Sequence, residues 1–275
     1  CLGHHAAPLT RLRPHLARGV QMIVTLRDGA AVTELADYLT NLGFGPSQLW
    51  VMEALGGPRE RVTEVRADAV SEGFDHPVAV AVQVAGEGKP LSQASGLDDG
   101  VFDSDGVMTK RPMRALTLSA LAPKPFERLW DIGGGSGSVG IEWLLSHPST
   151  EAITVEPRAD RIGLITANAA ALGVDRLRVV EGKAPEALAD MPAPDAVFIG
   201  GGLSAALLDW LFGHVSAGTR LVANAVTLES EAVLIAAHRT RGGSLLRIEL
   251  SEAAPLGSRT GWKAAYPGVQ WSVVL

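Results

Sequence analysis

A glycine-rich loop between a short apolar strand and a helical pattern constrains the fold of this chain more than any other feature. Residues 129–142 read LWDIGGGSGSVGIE, in which an apolar segment, 129–132, leads directly into the glycines. Glycine lets the backbone turn sharply and lets a ligand approach the main chain closely. The N–H groups at the start of the following helix favour an anionic group. The stretch therefore predicts a nucleotide-type binding loop between a strand and a helix.

Two carboxylates flank this loop and bear on the identity of its ligand. Asp131 lies just before the glycines, and Glu156 ends the next predicted strand. Their spacing matches nucleoside-binding βαβ units, in which an acid at the second strand accepts hydrogen bonds from the ribose hydroxyls. An acid followed by Gly-x-Gly-x-Gly favours S-adenosylmethionine (SAM), with its methionine carboxylate at the helix N-terminus.

The same loop permits two other interpretations. Residues 135–140 also match G-x-G-x-x-G, the dinucleotide fingerprint, with Glu156 as the ribose acid. A nicotinamide dinucleotide leaves Asp131 without a role, and the sequence shows no set of residues for hydride transfer. Glycines that only form a tight strand–helix turn are the third interpretation, which the two spaced acids disfavour.

Further ligand-binding residues are expected where other predicted strands end. Residues 181–184, Glu-Gly-Lys-Ala, follow the third strand, where backbone and side-chain groups can line an adenine. Glycines at 200–202 follow the fourth strand and offer a flat floor to a large planar substrate. The residues expected from these patterns to bind the cofactor are Asp131, Gly133, Gly134, Gly135, Ser136, Gly137, Glu156, Lys183 and Ala184.

Strands and helices alternate along the second part of the chain, which predicts an α/β fold with a parallel sheet and helices on both faces. Strands are predicted at 129–132, 151–156, 177–181, 195–200, 219–225, 244–251 and 269–275. Helices are predicted at 109–121 with Thr109 as N-cap, and at 138–146, 158–172, 184–189, 203–216 and 228–240. Earlier in the chain, strands are predicted at 20–26, 48–53, 61–65 and 78–84, with a helix at 30–42 and a turn-rich linker at 85–106.

Composition excludes several classes of protein. A chain with 47% apolar and 20% charged residues has enough apolar side chains for a sizeable core, and no apolar run is long enough to span a bilayer. The net charge of −6 argues against a broad nucleic-acid surface. Cys1 is the sole cysteine and no secretory leader is evident, so we expect a cytoplasmic protein, and a first residue other than Met suggests a piece of a longer one. His4 and His5 lack a cysteine or acid at ligand spacing, so no metal site is expected.

Several segments resemble the decarboxylating precorrin-6Y methyltransferases of cobalamin biosynthesis. They are GLDDGVF (96–102), MTKR (108–111), RALTLSALAP (114–123), APEAL (184–188), ANAVTLE (223–229) and GWK (261–263), together with the glycine-rich loop. The resemblance is firmest after residue 96. Residues 1–84, with LGGPRERV at 55–62, resemble the second lobe of the tetrapyrrole methylase domain that comes first in fused proteins.

The resemblance implies a Rossmann-like SAM-dependent methyltransferase domain over 107–275, with a mostly parallel seven-stranded sheet. A linker over 85–106 would join it to a partial α/β methylase lobe over 1–84, which we expect to be inactive without its first lobe. The implied reaction methylates ring carbon 15 of a reduced precorrin and removes carbon dioxide from the acetate on ring carbon 12. The complete fused protein would also methylate carbon 5. Two alternative functions stay open. One is a SAM-dependent methyltransferase of the same fold that acts on another small-molecule substrate, and the other is a non-catalytic SAM-binding or assembly fragment.

The resemblance also implies roles for single residues. Thr109 would contact SAM, while Lys110, Arg111 and Asn224 would face the polycarboxylate substrate as catalytic candidates. Trp262 is a candidate for stacking on the macrocycle or for ordinary packing. Lys183 and Pro112 depart from residues common in the family, which leaves the detail of the pocket near them open. A homo-oligomer, with a tetramer as the family precedent, is expected, and neither nucleic acid nor membrane is expected as a partner.

Overall fold

The structure, a computed structural model, describes residues 2–4, 7–71 and 73–275, with the backbone alone for 2–4. Cys1 and His5, and the side chain of His4, lie outside the described residues. The chain forms two compact units, Cys1–Ser92 with Ala170–Asp175, and Gln93–Ala169 with Arg176–Leu275. The division after Ser92 falls inside the segment 85–106.

The first unit contains a five-stranded sheet with one long helix. Its elements are β1 (Leu2–His4), β2 (Gln21–Leu26), α1 (Ala30–Asn41), β3 (Gln48–Glu53), β4 (Arg61–Arg66) and β5 (Val78–Gln83). The strand order is β1-β2-β5-β3-β4, with β1 parallel to β2 and the other pairs antiparallel. Val32, Leu35 and Leu39 recur at helical spacing and bury their side chains in the core of this unit. The strands and helix predicted here from periodicity are confirmed.

The second unit alternates strands and helices. Its strands are β6 (Arg128–Ile132), β7 (Glu151–Glu156), β8 (Arg178–Glu181), β9 (Ala196–Ile199), β10 (Arg220–Ala225), β11 (Ser244–Ile248), β12 (Ser251–Leu256), β13 (Arg259–Ala264) and β14 (Gly268–Val274). Its helices are α2 (Arg111–Leu121), α3 (Ser138–Ser146), α4 (Ala159–Ala171), α5 (Ala205–His214) and α6 (Leu228–Arg241), and the helix predicted at 184–189 is a single 3-10 turn, Glu186–Leu188. No helix among the described residues is both long enough and apolar enough to cross a bilayer.

Seven of these strands form one sheet, in the order β11-β14-β10-β9-β6-β7-β8. The five strands from β10 to β8 are parallel, and β14 is antiparallel to both of its neighbours. The predicted α/β class with a mostly parallel seven-stranded sheet is therefore confirmed. The chain runs outward from β6 through β7 to β8 and then returns to β9 on the other side of β6. Ligands of such sheets bind outside the carboxyl ends of the strands at this switch point.

Two local predictions are wrong. Helix α2 begins at Arg111 with Lys110 as its N-cap residue, so Thr109 does not cap it; the carbonyl of Thr109 instead accepts a hydrogen bond from Arg114 Nη1 at 2.5 Å. The strand predicted at 244–251 ends at Ile248, and an unpredicted hairpin, β12–β13, follows it. Most hairpin residues are exposed on both faces, so the alternation that identifies a strand is missing.

Candidate active site

A cavity of about 700 Å³ lies at the carboxyl ends of the parallel strands of the second unit. Its lining runs across the sheet, from Gly182 after β8 to Ile248 at the end of β11. The predicted site residues that line it are Thr109, Lys110, Asp131, Gly133, Gly134, Gly135, Ser136, Glu156, Lys183, Ala184 and Asn224. Gly137 and Arg111 lie outside the lining. The structure thus brings together side chains from segments more than a hundred residues apart.

The glycines of the loop are needed for packing inside the protein as well as for ligand access. Gly133 has a φ of +75°, and a Cβ there would lie 2.5 Å from the backbone nitrogen of Gly201. A Cβ on Gly134 would lie 2.1 Å from the Thr154 methyl group, and one on Gly137 would lie 2.8 Å from Ile165. Because these glycines have no side chains, the loop can pack against β7, α4 and the loop after β9. Gly137 does not line the cavity, and its contact with Ile165 explains why glycine suits this position.

Glu156 is buried at the end of β7 and its carboxylate fixes the loops on either side of it. Oε2 accepts a hydrogen bond from the Gly135 N–H at 3.1 Å, and Oε1 accepts one from the Arg158 N–H at 3.1 Å. A carboxylate has about four lone-pair positions, so each oxygen retains capacity for a further donor from the cavity. This is the arrangement expected of an acid that receives two neighbouring hydroxyl groups.

Asp131 is buried beneath the glycine-rich loop. Its Oδ2 accepts hydrogen bonds from the Gly140 N–H and from Thr154 Oγ1, each at 3.2 Å. Burial raises the pKa of Asp131 to about 7, and the nearby Glu156 charge acts in the same direction, while the two hydrogen bonds oppose the shift. The acid that distinguished SAM from a dinucleotide in the sequence thus joins β6, β7 and the first turn of α3.

Asp131→Asn is expected to remove a pH dependence of stability. With a pKa of about 7, the folded chain holds a proton at pH values where the unfolded chain, with a pKa of about 3.9, has lost it. Stability therefore falls as pH rises between these values, by about 3 kcal/mol from about pH 5 to about pH 8. The Asn variant can accept both hydrogen bonds but does not titrate, so in urea unfolding it should gain stability over the unmodified chain as pH rises. Parallel pH curves for the two proteins would contradict the assignment.

The cavity offers matching groups to SAM at its β6–β8 end. Ser136 Oγ is buried with no hydrogen-bond partner among the described residues, and Ser136 lines the cavity. This hydroxyl and the first-turn N–H groups of α3 suit the methionine carboxylate, while Glu156 suits the ribose. Lys183 and Ala184 border the cavity at β8, where the adenine is expected. The residues present therefore fit the cofactor predicted from the sequence.

The other end of the cavity is less charged. Lys110 lines it with a largely exposed side chain, its Nζ 3.9 Å from Asp99 Oδ2. Asn224 donates to Thr117 Oγ1 at 2.8 Å and accepts from Gln270 Nε2 at 3.1 Å, which leaves one amide hydrogen for the cavity. Gln270 carries no motif, so sequence reasoning missed it. The backbone N–H of Arg111 donates to Asp99 Oδ1 at 3.0 Å.

Arg114 is a positioning residue near the start of α2. Lys110 and Arg111, the cations just before it, are exposed, whereas the side chain of Arg114 is fully buried. Nε donates to Glu142 Oε1 at 2.5 Å and Nη2 to the Leu97 carbonyl at 2.6 Å, while Nη1 bonds Thr109. The network joins the segments 96–102 and 108–111 and holds the second at the cavity rim. Helical spacing offered the missed signal, because Arg114 lies one turn before the buried Thr117 and Leu118.

Across residues 7–71 and 73–275, no group of three or more His, Cys, Asp or Glu side chains is arranged to hold a metal ion.

Comparison with known proteins gives consistent matches. A family model described as the precorrin methyltransferase domain matches residues 100–275. The precorrin-6Y C(5,15)-methyltransferase (decarboxylating) of a Sinorhizobium species is 50% identical over 272 residues, 98% of this chain and 66% of that protein. The cobalt-precorrin-6B C(15)-methyltransferase (decarboxylating) of Salmonella typhimurium is 33% identical over 166 residues, 58% of this chain and 85% of that protein.

A solved structure is similar over about two thirds of the chain. The C-terminal domain of precorrin-6Y C5,15-methyltransferase from Rhodobacter capsulatus superposes with a TM-score of 0.65 and 55% identity, covering 67% of this chain and all of that domain. The chain spans about two thirds of the length of the longer relative above.

Proposed function

Because the chain belongs to the precorrin methyltransferase family, we propose that its second unit transfers a methyl group from SAM to ring carbon 15 of a reduced precorrin. The same unit would release carbon dioxide from the acetate on ring carbon 12. The observation that carries this proposal is the single cavity that joins Glu156 and Ser136 to Lys110 and Asn224, in a chain that covers most of a relative named for carbon 15.

Positioning supplies much of the proposed catalysis. SAM, when bound, supplies an electrophilic methyl group, and an electron-rich ring carbon needs little acid–base help to attack it. Glu156 and the glycine-rich loop hold one reactant, while the β9–β11 end of the cavity holds the other. Holding two reactants in line contributes up to about 7–11 kcal/mol of barrier reduction. Lys110, which lines the cavity, would attract a peripheral carboxylate of the substrate to the rim.

Loss of carbon dioxide makes an opposite electrostatic demand. The reacting acetate must be ionised, but a cation that stabilised it strongly before reaction would raise the barrier. Val226, Ile248 and Leu250 line the β10–β11 end of the cavity and offer no such stabilisation. We assign the departing carboxylate to this apolar part and a spectator carboxylate to Lys110.

The test is anaerobic incubation of the chain with SAM and the reduced precorrin, read by mass spectrometry. The expected product has gained a methyl group and lost carbon dioxide, and the Glu156→Ala variant should form neither change at a comparable rate. A product that has gained a methyl group but kept the carboxylate would reject the decarboxylating function and favour a methyltransferase that does not decarboxylate. No mass change, despite SAM binding, would favour a non-catalytic fragment.

We also propose the domain roles expected from the sequence: the second lobe of a tetrapyrrole methylase domain over 1–84, a linker over 85–106 and the methyltransferase domain over 107–275. The reduced substrate and the single cysteine suit the cytoplasm. A homo-oligomer, for which the tetramer is the family precedent, is supported by the exposed apolar side chains of Leu256 and Trp262 on the β12–β13 hairpin. Light scattering on the chain would reveal a monomer if this assignment is wrong.

A further inference from the structure

The β10–β11 end of the cavity carries apolar side chains that are open to solvent. Val226 follows β10 and is 68% exposed, Leu250 precedes β12 and is 39% exposed, and Tyr266 lies between β13 and β14 and is 91% exposed. All three line the cavity. Exposed apolar groups gathered at one cavity mouth mark a surface that a partner or ligand covers.

The backbone that carries Tyr266 is held in place on both sides. The preceding Ala265 N–H donates to the Leu250 carbonyl at 2.9 Å. After it, Gly268 begins β14 and pairs with Ile248 of β11. A Cβ on Gly268 would lie 3.3 Å from Met113 Cε, so this glycine is packed against α2. The ring is therefore presented to the cavity from a fixed main chain, which lowers the entropy lost when a ligand contacts it.

The chemistry of this end differs from that of the cofactor end. Around β6–β8 the cavity is bordered by Asp131, Glu156 and the Ser136 hydroxyl, which suit a polar ligand. At the β10–β11 end the lining includes the apolar side chains of Val226 and Leu250 together with Tyr266, which suit a flat apolar face. A tetrapyrrole has such a face, with its carboxylates confined to the edge of the ring.

We propose that Tyr266 is the aromatic surface on which the planar acceptor stacks, with Val226 and Leu250 bordering the ring; this inference rests on the function proposed above. Aromatic rings favour offset stacking on other π-systems. Trp262, the candidate from the sequence, is 80% exposed on β13 but lies outside the cavity lining. Tyr266 takes that role because it combines exposure with a place in the lining.

The experiment measures acceptor binding separately from turnover. Uroporphyrin, a stable planar tetrapyrrole with acetate and propionate side chains, is titrated into the chain in the presence of S-adenosylhomocysteine, and the shift of its Soret band gives Kd. Tyr266→Leu is expected to raise this Kd about tenfold, whereas Tyr266→Phe keeps it within about twofold because the ring rather than the hydroxyl stacks. Phe126→Leu, which changes an exposed aromatic residue outside the cavity lining, is the matched control and should bind as the unmodified chain does. All variants should bind SAM equally by calorimetry.

Three results would overturn the proposal. One is an unchanged uroporphyrin Kd in Tyr266→Leu. Another is a raised uroporphyrin Kd in Trp262→Leu together with an unchanged Kd in Tyr266→Leu, which would show that Trp262 on the hairpin, and not Tyr266, stacks on the ring. The third is a change of oligomeric state in Tyr266→Leu by light scattering, which would make this apolar surface an interface with a second copy. Failure of the proposed function would look different, since the unmodified chain would then leave the reduced precorrin unchanged while the stacking result still stood.

Discussion

Arg114→Ala is expected to lower the free energy of unfolding of the second unit by about 3–5 kcal/mol, because it leaves a buried carboxylate without its cation. The side chains of Arg114 and Glu142 are both buried and meet at 2.5 Å. Glu142 also accepts the N–H groups of Gly96 and Leu97, at 2.7 and 2.9 Å, so the loss extends to the segment 96–102. Scanning calorimetry should show a fall in Tm on the order of 10 °C.

Two variants make this result specific. Arg111→Ala removes an exposed guanidinium from the same helix and should change stability by no more than about 0.5 kcal/mol. Arg114→Lys keeps the charge but cannot form the same fork of hydrogen bonds, so its stability should lie between those of the unmodified chain and the Ala variant. A melting curve for Arg114→Ala that matches the unmodified chain would show that the network contributes nothing.

Glu156→Ala is expected to weaken SAM binding on the order of 100-fold, since hydrogen bonds to a charged group contribute about 1.5–3 kcal/mol each. The change removes the proposed acceptor of the ribose hydroxyls. It also leaves the N–H groups of Gly135 and Arg158 without the acceptor they have now, so the loop that borders the cavity loses its support. Isothermal titration calorimetry with SAM measures the loss directly.

Glu181 provides the matched control for this variant. It lies beside Glu156 in the register of β7 with β8, but it is exposed and outside the cavity lining. Glu181→Ala should keep the SAM Kd within about twofold. If both variants bind SAM equally well, the acid at the end of β7 is not the ribose ligand, and the spacing inferred from the sequence has no functional meaning.

Much of the second unit could be predicted because the central strands of its sheet are buried on both faces. Residues 196–199 are all buried, and such short apolar runs between helical patterns are typical of a parallel sheet. The helix Ser138–Ser146 and the strand Glu151–Glu156 have the predicted bounds. The hairpin β12–β13 lacks a buried face, so its residues carry no periodic signal, and only its pairing in three dimensions identifies it.

The two ends of the cavity also differ in how far the local sequence reveals their residues. At the β6–β8 end, the glycine-rich loop and the two acids, Asp131 and Glu156, belong to one βαβ unit, so their spacing in the sequence predicts that they share a site. At the β10–β11 end, the residues come from separate segments, among them Asn224, Gln270 and Tyr266. These segments meet because β14 lies between β10 and β11 in the sheet. Local sequence cannot reveal that arrangement. Arg114 could not be identified as buried for a different reason, because a charged side chain is typical of a surface position, although its spacing with Thr117 and Leu118 matches the buried face of the helix.

The position of β14 has a consequence for how the protein is made. In the described sheet, β11 pairs with β14 alone, and β14 follows the hairpin in the chain. During synthesis, β6–β8 and the glycine-rich loop emerge first and can form local contacts, whereas β11 must wait for a segment that is translated later. The part of the cavity lined by β11 and β14 is therefore completed last, in a nascent chain that already contains the glycine-rich loop. A ribosome stalled before β14 would display the glycine-rich loop but not the part of the cavity that we propose to hold the acceptor.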